Sequence, residues 1–185
     1  MEVQVRTEKI EVFEKGNEYF PLLTWCIRAL GKREERPELS LLFVKDKLAF
    51  ATDGVRLHSC PLPVPDGTYE VQANGEGISL IPKEARNFPD VVGIMKKFLE
   101  RAKEIEGILV YGDKLTFDKE VADILRALDS NFYLNLKFLR DLISSPDKTG
   151  DLKVLPGSFQ IPMPVVYISG TGNMIGLLMP KTLRR

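Results

Sequence analysis

The sequence predicts an α+β fold, with antiparallel sheets that carry amphipathic helices on one side. Three observations point there. Short runs rich in β-branched and aromatic residues recur along the chain, separated by Gly, Pro and Asp turns. Three other segments carry apolar residues at helical spacing. A ten-residue stretch also occurs twice. LLFVKDKLAF at 41–50 and ILVYGDKLTF at 108–117 align without gaps, 67 positions apart, with five of ten positions identical. Each copy follows an amphipathic segment, which reads as duplication of a helix–meander unit. A third helix and the C-terminal strands make a further unit.

Residues 2–13 alternate and predict a strand with Val3, Val5, Ile10 and Val12 inward. Gly16-Asn17 breaks it. A helix follows from about Asn17 to Leu30, with Phe20, Leu23, Ile27 and Leu30 as its stripe and Thr24 and Arg28 opposite. Leu39–Val44 and Leu48–Thr52 flank a Lys45-Asp46-Lys47 turn, and Val55–Cys60 follows an Asp53-Gly54 turn. Tyr69–Ala73 and Ile78–Ile81 are further strands on either side of turn-forming residues.

The second helix covers about Val91 to Ile105, with Val91, Met95, Phe98, Ala102 and Ile105 as its stripe and Lys97 and Arg101 on the other side. Ile108–Tyr111 and Leu115–Phe117 form a hairpin around Gly112-Asp113. Val121, Ile124, Leu125 and Leu128 have helical spacing, while an antiparallel sheet would take a strand there; residues 119–129 stand open between the two. Phe132–Leu136 leads as a strand into the third helix, about Lys137–Ser145, with Lys137, Arg140 and Asp141 outward. Leu152–Leu155, Val165–Ile168 and Ile175–Met179 close the chain as strands.

The composition narrows the function classes. With 185 residues the chain suffices for one large domain or two small ones. Lys+Arg and Asp+Glu are both 26, so the net charge is zero and bulk charge cannot coat nucleic acid. Any DNA contact has to come from a local basic surface. No apolar run reaches the roughly 20 residues of a membrane span, and the charged N-terminus does not read as a secretory signal. Cys26 and Cys60 lie far apart without a CxxC, which fits a reducing cytoplasm and neither a disulfide framework nor a zinc site.

Catalytic motifs are missing. The single histidine, His58, sits in a strand, where a structural role is the ordinary one. No Ser/His/Asp or Cys/His set can be built without it, and one histidine gives poor metal-ligand prospects. SGTGN at 169–173 lies between two strands, so it reads as a hairpin turn and not a phosphate cradle. The expectation is a binding protein, with no enzyme activity, no metal and no cofactor.

Four segments carry a resemblance, in order along the chain. LAFATDGVRLHSCPLP resembles the ATDGHRLA-type hairpin of the bacterial replicative sliding clamp, the beta subunit of the replicative DNA polymerase. NFPDVVGI resembles the family's FPD linker between its middle and last domains. FYLNLKFLRDLI is similar to the opening of the last half-domain, and YISGTGNMIGLLMPKTL to the final strand with its Met-Pro ending. The sequence departs from the pattern at Val55, where the family hairpin has histidine. It departs again at Thr182-Leu183, where the family ends in Arg-Leu. The chain is also about half the family length. Short clamps of this kind occur in phages, so the resemblance extends to a phage or mobile-element form.

The resemblance implies a DNA-clamp fold of two clamp-like domains: a shortened middle-like domain over 1–90 and a last-like domain over 91–185. It implies a DNA sliding clamp, a processivity factor that encircles double-stranded DNA without sequence preference. Six domains to a ring would make the assembly a homotrimer. Arg28, Lys32, Lys97, Arg101, Lys137 and Arg140 would face the DNA. It also implies a hydrophobic pocket for short peptide motifs of a DNA polymerase and clamp loader. Thr52, Gly54, Val55, Arg56 and Leu57 of the hairpin would line it, with Pro89 and Ile94 of the linker and Leu177, Met179 and Pro180 of the last strand. The shortened first domain raises an alternative: a monomeric clamp-fold adaptor or decoy that binds such peptides without encircling DNA.

Overall fold

The computed structural model describes residues 9–85, 87–111, 132–157 and 164–182. The strand expected at Leu115–Phe117, the Gly112-Asp113 turn and the open segment 119–129 lie outside the described residues, as do Val3 and Val5.

The first half begins with β1 (Glu11–Glu14) and α1 (Tyr19–Cys26), which continues into a 3-10 turn over Ile27–Ala29. A second 3-10 turn, Pro37–Ser40, precedes the strands β2 (Leu41–Lys45), β3 (Leu48–Thr52), β4 (Arg56–Pro61), β5 (Gly67–Ala73) and β6 (Gly77–Pro82). The second half holds α2 (Val91–Ala102), β7 (Ile108–Tyr111), β8 (Phe132–Tyr133) and α3 (Leu136–Ile143). It closes with β9 (Thr149–Val154), β10 (Val165–Ser169), β11 (Ile175–Leu178) and β12 (Lys181–Thr182). Among the described residues the pairing is antiparallel throughout. Ten of the described strands form one sheet in the order β1-β6-β5-β2-β3-β4-β11-β10-β9-β7, and β12 pairs with β8 in a small second sheet. The strands expected on either side of residue 90 are therefore hydrogen-bonded to each other through β4 and β11, with Leu57 opposite Leu177.

Local chemistry sets the turns. Asp46 and Lys47 both have positive φ, so β2 and β3 are joined by a two-residue turn whose twist matches the strands. Asp66 holds that turn, accepting from the Asp46 amide at 2.9 Å and from Lys45 Nζ at 2.7 Å. Helices α2 and α3 both begin on a side-chain cap. The Asp90 carboxylate accepts from the Gly93 amide at 2.9 Å, and Asn135 Oδ1 accepts from the Lys137 amide at 3.0 Å.

The sheet is covered on both faces, and the two-residue period of its strands assigns each side chain. Ala49 and Ala51 of β3 and Val165 and Tyr167 of β10 point into one core. Leu23, Trp25, Cys26 and Ala29 of the first helical segment enter it, with Leu139, Leu142 and Ile143 of α3. Phe50 of β3, Leu57 of β4, Val166 of β10 and Leu177 of β11 point the other way, into a second core with Val91, Met95 and Ala102 of α2. Helices α1 and α3 thus share one face and α2 occupies the opposite one. Of the three described helices, the expectation of helices on one side holds for α1 and α3. Within the α+β class the strand sequences explain the difference: LAFAT and VVYIS are apolar at consecutive positions, as strands buried on both faces must be.

Gly176 lets α3 lie close on β11. A Cβ at that position would sit 2.2 Å from Leu142 Cδ1, inside van der Waals contact. The indole of Trp25 donates to the Leu142 carbonyl at 3.1 Å, linking the first and third helices directly. His58 is fully buried beside them. Its ring stacks on Trp25 at 4.2 Å and its Nδ1 lies 3.0 Å from the Trp25 carbonyl, while its Nε2 has no partner among the described residues. Burial pushes its pKa down to about 3, so the ring is neutral and Nδ1 carries the donated proton. Its role is structural.

Two inward assignments differ from expectation. On β1 the buried residue is Phe13, whereas Ile10 and Val12 are 51% and 57% exposed. Phe13 and Val12 compete for the core face in an alternating EVFE strand, and the larger aromatic takes it. Along α1 and the 3-10 turn after it the buried face is Leu23, Trp25, Cys26 and Ala29, rotated from the expected stripe, of which only Leu23 is buried. The indole requires a hydrogen-bond partner in the core, and the helix turns to bring it to Leu142.

Candidate functional site

The β3–β4 hairpin is built by its own side chains. Gly54 has φ +88°, a conformation that favours glycine. The Asp53 carboxylate accepts from the amides of Val55 and Arg56, both at 2.9 Å. Thr52 Oγ1 accepts from the Gly54 amide at 3.0 Å and donates to the Arg56 carbonyl at 2.7 Å. These bonds consume the polar groups of the turn, leaving Val55 and Leu57 to present apolar surface. The Met179 amide donates to the Val55 carbonyl at 2.8 Å, which brings the end of β11 alongside the hairpin. Helix α2 closes the third side.

Between them lies a cleft of about 240 Å3. It is smaller than the roughly 300–1,000 Å3 of a small-molecule site, and suits one or two apolar side chains better than a cofactor. Nine of the ten residues expected here line it: Thr52, Gly54, Val55, Arg56, Leu57, Pro89, Ile94, Leu177 and Met179. The tenth, Pro180, is buried and does not line the cleft. Leu39, Val91 and Phe98 complete the apolar walls, and Arg36, Glu38 and Asn87 stand at the rim. The sequence held a signal for two of these, because Val91 and Phe98 lie on one helical stripe with Ile94. Leu39 follows a proline in a short turn and had no periodicity to reveal it.

The one arginine in the cleft floor is already neutralised. Arg56 Nε donates to Asp53 at 2.9 Å, its Nη1 donates to Asp141 of α3 at 2.7 Å, and its guanidinium lies 4.1 Å from the Phe138 ring centroid. The cleft therefore offers apolar walls, a methionine that can repack, and charge only at its rim. Among the described residues no three His, Cys, Asp or Glu side chains come together to hold a metal ion.

The six cationic residues expected to share a DNA surface fall on two faces. Lys137 and Arg140 are exposed on α3, and Arg28 is exposed in the turn after α1, on the side where these helices cover the sheet. Lys32 shares a cleft with Lys137 and Phe138, and Arg28 shares another with Ser144 and Lys148. Lys97 and Arg101 belong to α2 and so lie across the sheet from the other four. Arg101 Nη2 donates to the Pro156 carbonyl at 2.7 Å. Helical spacing alone could not separate them, because an amphipathic stripe does not say which face of a sheet it covers.

No family model and no curated protein matches the sequence. Solved structures do match in three dimensions. The crystal structure of the DNA polymerase sliding clamp from Bacillus subtilis superposes with a TM-score of 0.61 at 11% identity, over 100% of this chain and 67% of that one. A structure from Eubacterium rectale, named for the DNA polymerase III beta subunit, gives a TM-score of 0.59 at 10% identity, over 99% of this chain and 68% of that one. A shared architecture across the whole chain, with the hairpin, linker and last strand meeting at one cleft, gives this protein the DNA sliding-clamp fold.

Proposed function

We propose that this chain is a non-catalytic processivity factor that holds a replication enzyme on duplex DNA. The cleft captures a short apolar segment of a polymerase or clamp loader. The convergence of nine motif residues from three separate stretches of sequence supports the reading, since they meet at one groove only in this fold. The surface on the α1 and α3 side, with Arg28, Lys32, Lys137 and Arg140, faces the phosphates and holds them without reading bases. The two clamp-like units, 1–90 and 91–185, assemble three chains to a ring, which also pairs exposed sheet edges.

The decisive experiment is calorimetry of a clamp-binding peptide against the protein and its Met179→Ala variant. A central apolar contact contributes about 2 kcal/mol, so affinity falls roughly 30-fold while thermal melting stays unchanged. Equal affinity removes the cleft from the function, and loss of folding makes Met179 a core residue.

A second reading is a monomeric adaptor that binds such peptides without encircling DNA. The position of α2 favours it, because two of the three described helices, α1 and α3, lie on the side that would face DNA and α2 does not. Light scattering on the purified protein separates the two readings: a trimer supports the ring, and a monomer at high concentration supports the adaptor.

A further inference from the structure

The apolar cleft shares walls with two larger clefts. Glu38 and Asn87 also line one of about 650 Å3. Arg36, Leu39 and the Gly54–Arg56 turn also line another of about 520 Å3. All three clefts border the Arg36–Leu39 segment.

The two larger clefts differ in charge. At the first, Glu70 takes Lys83 at 2.6 Å and Arg33 at 3.9 Å. That leaves Glu38 and Glu84 on the wall with no ion pair among the described residues, so three carboxylates stand against two cations. At the second, Asp53 is spent on Arg56, and Glu35 lies 3.9 Å from Lys32. Arg56 is also held by Asp141 at 2.7 Å. Arg36 and Lys137 have no ion pair among the described residues, so four cations stand against three carboxylates. Arg36 and Glu38 are two positions apart, yet each lines a different one of the two larger clefts.

We propose that these three clefts act as one electrically polarised groove, which fixes the direction in which a partner segment lies. The segment's apolar anchor fills the central cleft. A basic flank lies over Glu38 and Glu84, and an acidic flank over Arg36 and Lys137. The inference rests on the central cleft being a partner site. It adds a selection between partners whose anchors are the same: a segment with its flanking charges in the wrong order meets like charge at both ends, which is discrimination by repulsion as well as attraction. Solvent-exposed pairs contribute modestly each, so the two ends together give about tenfold between the two orders.

The test uses three synthetic peptides with one shared apolar core. One has two Lys before the core and two Glu after it, one has the reverse, and one has Ser on both sides. Affinities are measured by fluorescence anisotropy on the full chain at low salt and again at about 0.5 M salt, where charges a few ångströms apart are already screened. One charged order is expected to bind about tenfold more tightly than the other at low salt, with the preference collapsing at high salt. Glu84→Lys combined with Lys137→Glu, both at exposed positions, is expected to abolish or invert the preference. Equal affinity of the two charged orders, with the serine-flanked peptide still bound, overturns the inference and leaves the cleft assignment standing. Failure of all three peptides to bind overturns both. A preference that persists at high salt, or survives the double variant, assigns the discrimination to the core and overturns the polarity.

Discussion

The guanidinium of Arg56 donates to the carboxylate of Asp141 at 2.7 Å, across 85 residues of sequence. Arg56 lines the candidate cleft and Asp141 lies on α3, so one side chain joins the hairpin that shapes the cleft to the helix on the opposite face of the sheet. The pair is largely shielded, with side-chain exposures of 10% and 25%. Removing one partner of such a pair leaves the other charge poorly solvated.

Arg56→Ala is therefore expected to cost about 2–4 kcal/mol in denaturant unfolding. In a double-mutant cycle, Arg56 and Asp141 should couple by about 1–2 kcal/mol. Additive effects would show that the contact does not form in solution.

His58 makes stability depend on pH with a definite sign. Its folded pKa, lowered from 6.5 to about 3 by burial, lies below that of the unfolded chain. Acid therefore protonates the unfolded state first. The contribution is complete above pH 6.5 and is lost as pH falls toward 3. Between pH 7.5 and pH 5 the protein should lose about 2 kcal/mol on this account. His58→Gln, which can still donate to the Trp25 carbonyl, should be less pH-dependent by that amount across the same interval. Parallel curves for the two proteins would refute the assignment.

Gly176 and Leu142 occupy each other's space. Gly176→Ala should destabilise by about 1–3 kcal/mol through overpacking, and Leu142→Ala by about 2–5 kcal/mol through the cavity it leaves. The double variant should cost less than the sum, because the new methyl enters the space vacated by the leucine. Strict additivity in urea melts would place the helix further from β11 than described.

The two cationic faces can be separated by DNA binding. Replacing Arg28, Lys32, Lys137 and Arg140 with Ala should weaken association with duplexes of any sequence and flatten its salt dependence, whereas Lys97→Ala with Arg101→Ala should leave both nearly unchanged. If the α2 pair proves the more damaging, DNA runs along the other face of the sheet.

Much of this was legible in the sequence where the chain punctuates itself. Asp46-Lys47 and Asp53-Gly54 mark their turns by residue type, and the strands of both hairpins fall within a residue or two of expectation. The cleft was legible because its residues sit in three short motifs, and nine of the ten expected residues meet there. What was not legible is the relation between elements. Periodicity states that α2 has an apolar face, but the choice of sheet face depends on Phe50, Val166 and Leu177 offering a second apolar surface. Pro180 was carried into the cleft by its neighbour Met179, yet it follows the end of β11 and is buried away from the cleft lining.

The pairing of β4 with β11 bears on how the chain could be divided. Neither half completes its own interior, since Trp25 finds its acceptor on Leu142 and His58 lies opposite Gly176. Fragments 1–86 and 87–185 should thus be unstructured when expressed singly and reconstitute a native complex when mixed, because the strands each leaves bare are complementary. The segment joining them is then a tether that raises effective concentration, and the seam at Leu57 and Leu177 becomes a natural place to build a split reporter.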